Sequence, residues 1–160
     1  MFKLYKVKDN QLYYWETWNK DEKTAIIHWG KVGERGEEKE VKGNFFSNFQ
    51  KKVLKEIAEK VKEGYAEFDK AKISFLEIEY IIDGFGTEQD LEKRHKLEAK
   101  MDEVLGWTGL GHTDGGSIGS GTMEVGCMIV DFDTAKKVIE ENLKGTEFGN
   151  YSRIFKIDEE

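Results

Sequence analysis

The sequence WGKVGERG, residues Trp29–Gly36, places three glycines within seven positions. It interrupts a run of aromatic and β-branched residues, the composition typical of strands. Glycine adopts the backbone conformations that tight turns require at little steric cost. We therefore expect a turn at this point, with a strand entering it and another leaving it.

Strand patterns lie on both sides of this turn. Asp9-Asn10 is a turn signal between two strand-like runs, which predicts an N-terminal hairpin. Aromatic residues fall at both even and odd positions of the second run, so we expect that strand to be covered on both faces. The predicted strands are Phe2–Val7, Leu12–Trp18, Thr24–Trp29 and Gly36–Val41.

A helix is predicted after the fourth strand. Ser47 and Gln50 have the spacing of a capping box, in which the hydroxyl and the amide side chain each bind a free backbone N–H. Gly64 is the expected end of the helix. The predicted apolar stripe consists of Phe49, Val53, Ile57 and Val61, flanked by Leu54 and Ala58.

The order of these elements around the turn resembles the WGR domain, a family named for a tripeptide that reads Trp-Gly-Lys here. The resemblance covers about residues 10–68 and implies an antiparallel sheet with one helix. It also implies binding to nucleic-acid ends, with the family's tryptophan against a terminal sugar and its basic residue on a phosphate. The matching positions are Trp29 and Lys31. Tyr65 matches an aromatic near the end of the domain, with Phe68 as the alternative.

Two features of the sequence depart from the family pattern. Lys31 replaces arginine, and an ammonium group does not reproduce the bidentate contact of a guanidinium with phosphate. Four glutamates also crowd the turn: Glu34, Glu37, Glu38 and Glu40. The family is best known from DNA-dependent poly(ADP-ribose) polymerases and occurs in bacterial proteins too. No ADP-ribosyltransferase domain follows here, so we predict a binding module without catalytic residues.

The second half reads strand, helix, strand, strand, helix, strand, the order of the ferredoxin-like split βαβ fold. The predicted fold class is α+β, with a WGR-like domain at 1–68 and an acidic ferredoxin-like domain at 73–160. Asp133 is the expected N-cap of the last helix. The predicted elements are strands Phe75–Ile82, Met123–Phe132 and Tyr151–Ile157, and a helix Thr87–Leu105.

Residues 109–121 are unusually rich in glycine, with six glycines in thirteen positions. One interpretation is a long hairpin that joins the two central strands. The other is a ligand site, because closely spaced glycines expose N–H groups that can bind an anion. The candidate ligand-binding residues are His112, Asp114, Gly115, Gly116 and Ser117. Neither a phosphate-binding loop nor a dinucleotide motif fits the spacing, and we predict no cofactor.

The remaining ionisable residues suggest no further chemistry. Cys127 is the only cysteine, which excludes an intramolecular disulfide, and no zinc-ligand spacing occurs. His28 and His95 have no partner that the sequence identifies. Since no signal peptide or membrane-spanning segment is evident, we expect a cytoplasmic protein with no membrane contact.

The charge is divided unevenly along the 160 residues. Residues 1–68 carry 14 Lys and Arg against 12 Asp and Glu, whereas residues 69–160 carry 11 against 20. The first hypothesis is that the WGR-like domain contacts DNA or RNA ends and that the acidic domain modulates this binding. The second is an interaction or immunity-type protein, with the WGR fold as scaffold and a basic protein as partner. The third is a ligand site or enzyme at the glycine-rich hairpin. The oligomeric state stays open.

Overall fold

A computed structural model describes residues 1–44 and 48–157. The chain divides into two compact units, Met1–Asp69 and Lys70–Glu160. Each unit has a four-stranded antiparallel sheet, and three α-helices occur in the described residues, one in the first unit and two in the second. The fold class is α+β, as predicted.

The first unit is an antiparallel meander in the order β1-β2-β3-β4, followed by one helix. Asp9 and Asn10 both have positive φ, 51° and 57°, and make the two-residue turn of the first hairpin. The four predicted strands are confirmed, each within two residues at either end. The elements are β1 Phe2–Lys8, β2 Gln11–Asn19, β3 Thr24–Lys31, β4 Glu37–Lys42 and α1 Phe49–Lys62.

Strand β2 buries side chains on both faces, as its aromatic pattern predicted. Trp15 is 2% exposed and Tyr14 is fully buried, although neighbouring residues point to opposite faces of a strand. On the Trp15 face, the core cluster consists of Leu4, Trp15, Ala25, Ile27, Val41 and Phe49, with Val53 and Ile57 of α1 packed against it. The helix therefore covers one face of the sheet.

The ends and the apolar stripe of α1 differ in part from the prediction. The expected cap, Ser47, lies outside the described residues, and the N-cap that the structure shows is Asn48, whose side chain accepts a hydrogen bond from the Gln50 N–H. Val61 is 53% exposed, so its inclusion in the buried stripe was wrong. At 3.6 residues per turn, Val61 is rotated by about 120° from Phe49 around the helix axis. A strict four-residue spacing thus leaves the covered face after about three turns.

The second unit has the strand order β6-β7-β5-β8, with every neighbouring pair antiparallel. This layout agrees with the predicted ferredoxin-like split βαβ arrangement. One face of β5 buries Leu76, Ile78 and Tyr80, the alternating residues that predicted the strand. The elements are β5 Ser74–Ile81, α2 Glu88–Trp107, β6 Gly111–Gly119, β7 Thr122–Ile129, α3 Phe132–Leu143 and β8 Arg153–Ile157.

The boundary between β7 and α3 was predicted incorrectly. The strand ends at Ile129 and Phe132 is the first residue of the helix. The N-cap is Asp131 rather than Asp133, because the Asp131 carboxylate accepts a hydrogen bond from the Thr134 N–H at 2.8 Å. Asp133 instead lies in the first helical turn, where a negative charge favours the helix dipole.

The glycine-rich stretch is an edge strand, not a connection between two central strands. Strand β6 pairs only with β7 within the described sheet, and its register shifts between Thr113 and Gly116. The turn that follows is made by Ser120 and Gly121, with φ values of 55° and 91°. A Cβ atom at Gly116 would collide with the backbone oxygen of Glu124, so the strands approach closely here.

Candidate functional site

The turn at Trp29–Gly36 is held to the sheet by backbone hydrogen bonds. The Val32 N–H donates to the carbonyl of Leu12 at 2.9 Å, and the Glu34 N–H donates to the carbonyl of Lys31 at 3.0 Å. Gly33 and Gly36 have φ values of 94° and 71°, a region that side chains other than glycine rarely adopt. The chain thereby reverses between β3 and β4 as predicted.

Two of the glycines are also required by the side chain of Tyr14. A Cβ atom at Gly30 would lie 2.7 Å from the Gly36 Cα and 3.0 Å from the Tyr14 hydroxyl oxygen. A Cβ atom at Gly36 would collide with both that hydroxyl and the carbonyl oxygen of Trp29. Glycine at positions 30 and 36 therefore allows the turn to pack against the side chain of Tyr14.

A buried polar network connects Tyr14 with His28. The Tyr14 hydroxyl lies 2.8 Å from the carbonyl oxygen of Arg35 and 3.1 Å from His28 Nε2, while His28 Nδ1 lies 2.7 Å from a carboxylate oxygen of Glu16. Lys3 Nζ is 3.2 Å from the other oxygen of Glu16. Burial, and then the nearby Glu16, raise the pKa of Tyr14, so its hydroxyl stays protonated.

This network supplies the partner of His28 that sequence reasoning missed. His28 and Glu16 are directly opposite one another on β3 and β2. Their pairing depends on the strand register, which no local pattern reveals. The network lies on the face of the sheet opposite Trp15 and contacts the turn from that face. Trp29 lies on the other face, the one that α1 covers.

Trp29 lies on the same face of the sheet as α1. It is opposite Trp15 on β2 and is half-buried against the core cluster defined above. A groove of about 220 Å³ lies between this tryptophan and the last turns of α1. Trp29 is therefore partly a core residue and partly the wall of an open groove.

Lys31 lies on the same face of the sheet, two residues after Trp29 on β3. In an antiparallel sheet, directly opposite residues share a face, and here Lys6, Tyr13 and Lys31 form one row across β1, β2 and β3. The side chain of Lys31 is 38% exposed, and its Nζ lies 3.8 Å from a carboxylate oxygen of Glu34. This row extends the surface that begins at Trp29.

Tyr65 reaches this face through the end of α1. The Tyr65 N–H donates to the carbonyl of Lys60 and the Gly64 N–H to that of Val61, both at 3.0 Å, which is a Schellman motif. Gly64 supplies the positive φ of 96° that the motif needs. Tyr65 then packs against the same core cluster as Trp29.

Lysines approach Tyr65 from two elements. The Nζ atoms of Lys6 and Lys60 lie 5.7 Å and 5.5 Å from the ring centroid, within cation–π range. Phe68, the alternative to Tyr65, packs edge-to-face on Tyr5 at 5.3 Å between centroids. Because Tyr5 points to the face opposite Lys6, Phe68 lies away from Trp29.

The structure thus brings Trp29, Lys31 and Tyr65 to one side of the first unit. We call this surface the aromatic–lysine face; it consists of Lys6, Tyr13, Trp29, Lys31, Lys60 and Tyr65. Sequence reasoning missed three of its members: Lys6, Tyr13 and Lys60. The order Lys6, Tyr13, Lys31 becomes visible only once strand register is known.

Glutamates compensate the lysines on and beside this face. Nζ to carboxylate distances are 2.8 Å for Lys60–Glu63 and 2.7 Å for Lys39–Glu56. The hydrogen bond from Lys60 lowers the pKa of Glu63, which keeps this carboxylate charged at neutral pH. With Lys31 beside Glu34, the lysines are partly neutralised, which weakens a purely electrostatic attraction to phosphate.

The candidate residues of the glycine-rich strand form no deep site. His112, Asp114, Gly115, Gly116 and Ser117 are all solvent-exposed on β6. The Ser117 hydroxyl donates to Glu124 of β7, and Arg94 donates to the Gly116 carbonyl. Within residues 1–44 and 48–157, no group of three or more His, Cys, Asp or Glu side chains is arranged to hold a metal ion.

Comparison with known proteins gives a family match for the first part of the chain. The model of the WGR domain matches residues 1–72. No curated protein and no solved structure matches the chain. Across the described parts of the chain, no helix has both the length and the apolar character needed to cross a bilayer.

Proposed function

We propose that the first unit, which matches the WGR domain, binds nucleic-acid ends through the aromatic–lysine face. The observation that carries the proposal is the convergence of Trp29, Tyr65 and Lys31 on one side of the sheet, although Tyr65 is 34 residues distant from Lys31 in sequence. Partly exposed aromatic rings beside cations are the combination of side chains that binds single strands and strand ends.

The residues of this face have separate roles in the proposal. The rings of Trp29 and Tyr65 offer surfaces for a terminal sugar or base. Stacking of a base on an aromatic ring contributes about 1–3 kcal/mol to the binding free energy. Lys6 and Lys31 meet backbone phosphates as point charges, which gives affinity without base specificity. The protein would therefore read the end of a strand rather than its sequence.

The second unit is proposed to have the ferredoxin-like fold and to reduce this affinity. Residues 69–160 hold 20 acidic against 11 basic residues, and this excess of negative charge repels a phosphate backbone. A fragment spanning residues 1–69 should then bind DNA more tightly than the whole chain. Equal affinities would remove the modulating role but not the binding itself.

With nucleic acid as the partner, we propose a cytoplasmic location.

The test is fluorescence anisotropy with short labelled duplexes and single strands at two salt concentrations. Trp29→Ala should weaken binding about five-fold or more, because it removes one stacking surface. Lys31→Gln should weaken binding and reduce its salt dependence by about one released counterion. Lys23→Gln, an exposed lysine in the β2–β3 turn, is the matched control. Folded wild-type protein that binds no nucleic acid would refute the proposal.

A protein partner is the second candidate, and the glutamates beside the lysines favour it. Because Lys31 and Lys60 already have carboxylate partners, the aromatic–lysine face is less cationic than its lysines suggest. A basic protein would then meet the acidic residues of the chain. Capture of one stoichiometric protein from a lysate, unchanged by nuclease treatment and lost at high salt, would support this candidate.

A further inference from the structure

The groove beside Trp29 differs in charge from the surface around it. It is open to solvent, has a volume of about 220 Å³, and runs between β3 and the C-terminal half of α1. Its apolar lining comes from β2 and β3, and its charged lining comes from α1 and from Lys39 of β4. The lining residues are Trp15, Ile27, Trp29, Lys39, Glu56, Glu59, Lys60 and Glu63.

Three carboxylates line this groove against two ammonium groups. Both lysines are engaged within the groove, Lys39 with Glu56 and Lys60 with Glu63. Glu59 is exposed, and no ion pair to it occurs among the described residues. The groove therefore carries an excess negative charge, located at Glu59.

Two further lysines lie outside the groove, and one of them, Lys31, lies 3.8 Å from a carboxylate oxygen of Glu34. Lys6 and Lys31 belong to the row that crosses the sheet beyond Trp29, and neither lines the groove. A strand whose internal phosphates met this row would place its terminal residue against Trp29, beside the carboxylates. The chemistry at the two positions is opposite: phosphates are favoured on the row and disfavoured in the groove.

We propose that this groove selects strand ends that terminate in a hydroxyl and rejects those that terminate in a phosphate; this rests on the proposed function of the aromatic–lysine face. A terminal hydroxyl can donate a hydrogen bond to a carboxylate, which accepts only. A terminal phosphate monoester brings about two negative charges close to Glu59. Glu59 is the residue that sets the preference, since the other two carboxylates are paired.

The test uses the full chain and duplexes of one sequence that differ only at their ends. All duplexes carry an internal fluorescent label. The affinity for a 5′-hydroxyl end is compared with that for a 5′-phosphate end, and the affinity for a 3′-hydroxyl end with that for a 3′-phosphate end. At low salt, the wild type should bind the hydroxyl end about three- to ten-fold more tightly at one terminus or both. Glu59→Gln should reduce this ratio at least two-fold by strengthening binding of the phosphate end.

Glu22→Gln is the matched control, because it removes the same charge from an exposed position in the β2–β3 turn. It should leave the ratio unchanged. Equal affinity for hydroxyl and phosphate ends at both termini, or tighter binding of phosphate ends, would overturn the inference and leave the proposed function standing. Failure to bind any of the duplexes would overturn both. A wild-type preference that Glu59→Gln does not alter would overturn the assignment to this residue.

Discussion

His28 Nε2 lies 2.5 Å from the carbonyl oxygen of Arg35, so an interior residue of β3 binds the turn that this strand itself leads into. The same carbonyl accepts a hydrogen bond from the Tyr14 hydroxyl at 2.8 Å. His28 is 1% exposed and Tyr14 is fully buried. The turn that carries Lys31 therefore rests on two buried side chains of the sheet beneath it.

Replacing Tyr14 with phenylalanine tests this support. The Tyr14→Phe variant keeps the ring but removes the hydroxyl that contacts the carbonyls of Glu34 and Arg35. We expect a loss of about 1–3 kcal/mol in the free energy of unfolding, because buried acceptors lose a donor. Urea denaturation measures it. A change below about 0.5 kcal/mol would show that other groups hold the turn.

Gly36→Ala should destabilise the first unit more than an ordinary glycine substitution. The new Cβ would collide with the carbonyl oxygen of Trp29, at a residue whose φ is 71°. We expect a loss of about 2 kcal/mol or more. The control is Gly106→Ala in α2, where a Cβ meets nothing within 4 Å and should stabilise the helix by about 0.5–1 kcal/mol. Similar effects of both substitutions would contradict the packing argument.

Glu79 should make the second unit sensitive to acid. Its carboxylate binds Arg153 Nη2 at 2.8 Å and the Ser152 hydroxyl at 2.7 Å, and these hydrogen bonds lower its pKa. Because the folded pKa lies below the unfolded value of about 4.3, this stabilisation is present above pH 4.3 and is lost as the pH falls through the folded pKa.

The Glu79→Gln variant should therefore show a smaller difference in unfolding free energy between neutral pH and about pH 3 than the wild type. Chemical denaturation at each pH provides the measurement. Glu92→Gln is a control in the same unit, since Glu92 also has a lowered pKa but lies on the exposed surface of α2, paired with Lys96. An unchanged acid dependence in the Glu79 variant would contradict the prediction.

Cys127 should be unreactive in the native protein. Its side chain is fully buried in β7, and burial, with a smaller effect of Asp102, raises the pKa of the thiol to about 12. Since the thiolate is the reactive species, alkylation by iodoacetamide should occur only through unfolding. Mass spectrometry of pulse-labelled protein should show modification rising together with denaturant unfolding of the second unit. Rapid labelling of folded protein would contradict this.

Local patterns along the chain predicted most of the secondary structure. The alternation of Leu76, Ile78 and Tyr80 predicted β5, and the glycines at 30, 33 and 36 predicted the turn between β3 and β4. These signals are visible in sequence because side-chain periodicity and backbone preference act over a few residues. Trp29 and Lys31 were identified from the resemblance of the short Trp-Gly-Lys motif to the WGR domain, which is likewise visible within a few residues.

The contacts between residues distant in sequence depend on the tertiary structure. Glu16 reaches His28, and Lys6 reaches Tyr65, through strand register and through the way that α1 returns to β1. The edge position of β6 likewise depends on the order of the strands. Local sequence patterns were sufficient to predict the kinds of element and the motif at the turn. Register, strand order and helix packing decided the aromatic–lysine face, because contacts between residues far apart in sequence depend on the packing of the whole unit and not on any local pattern.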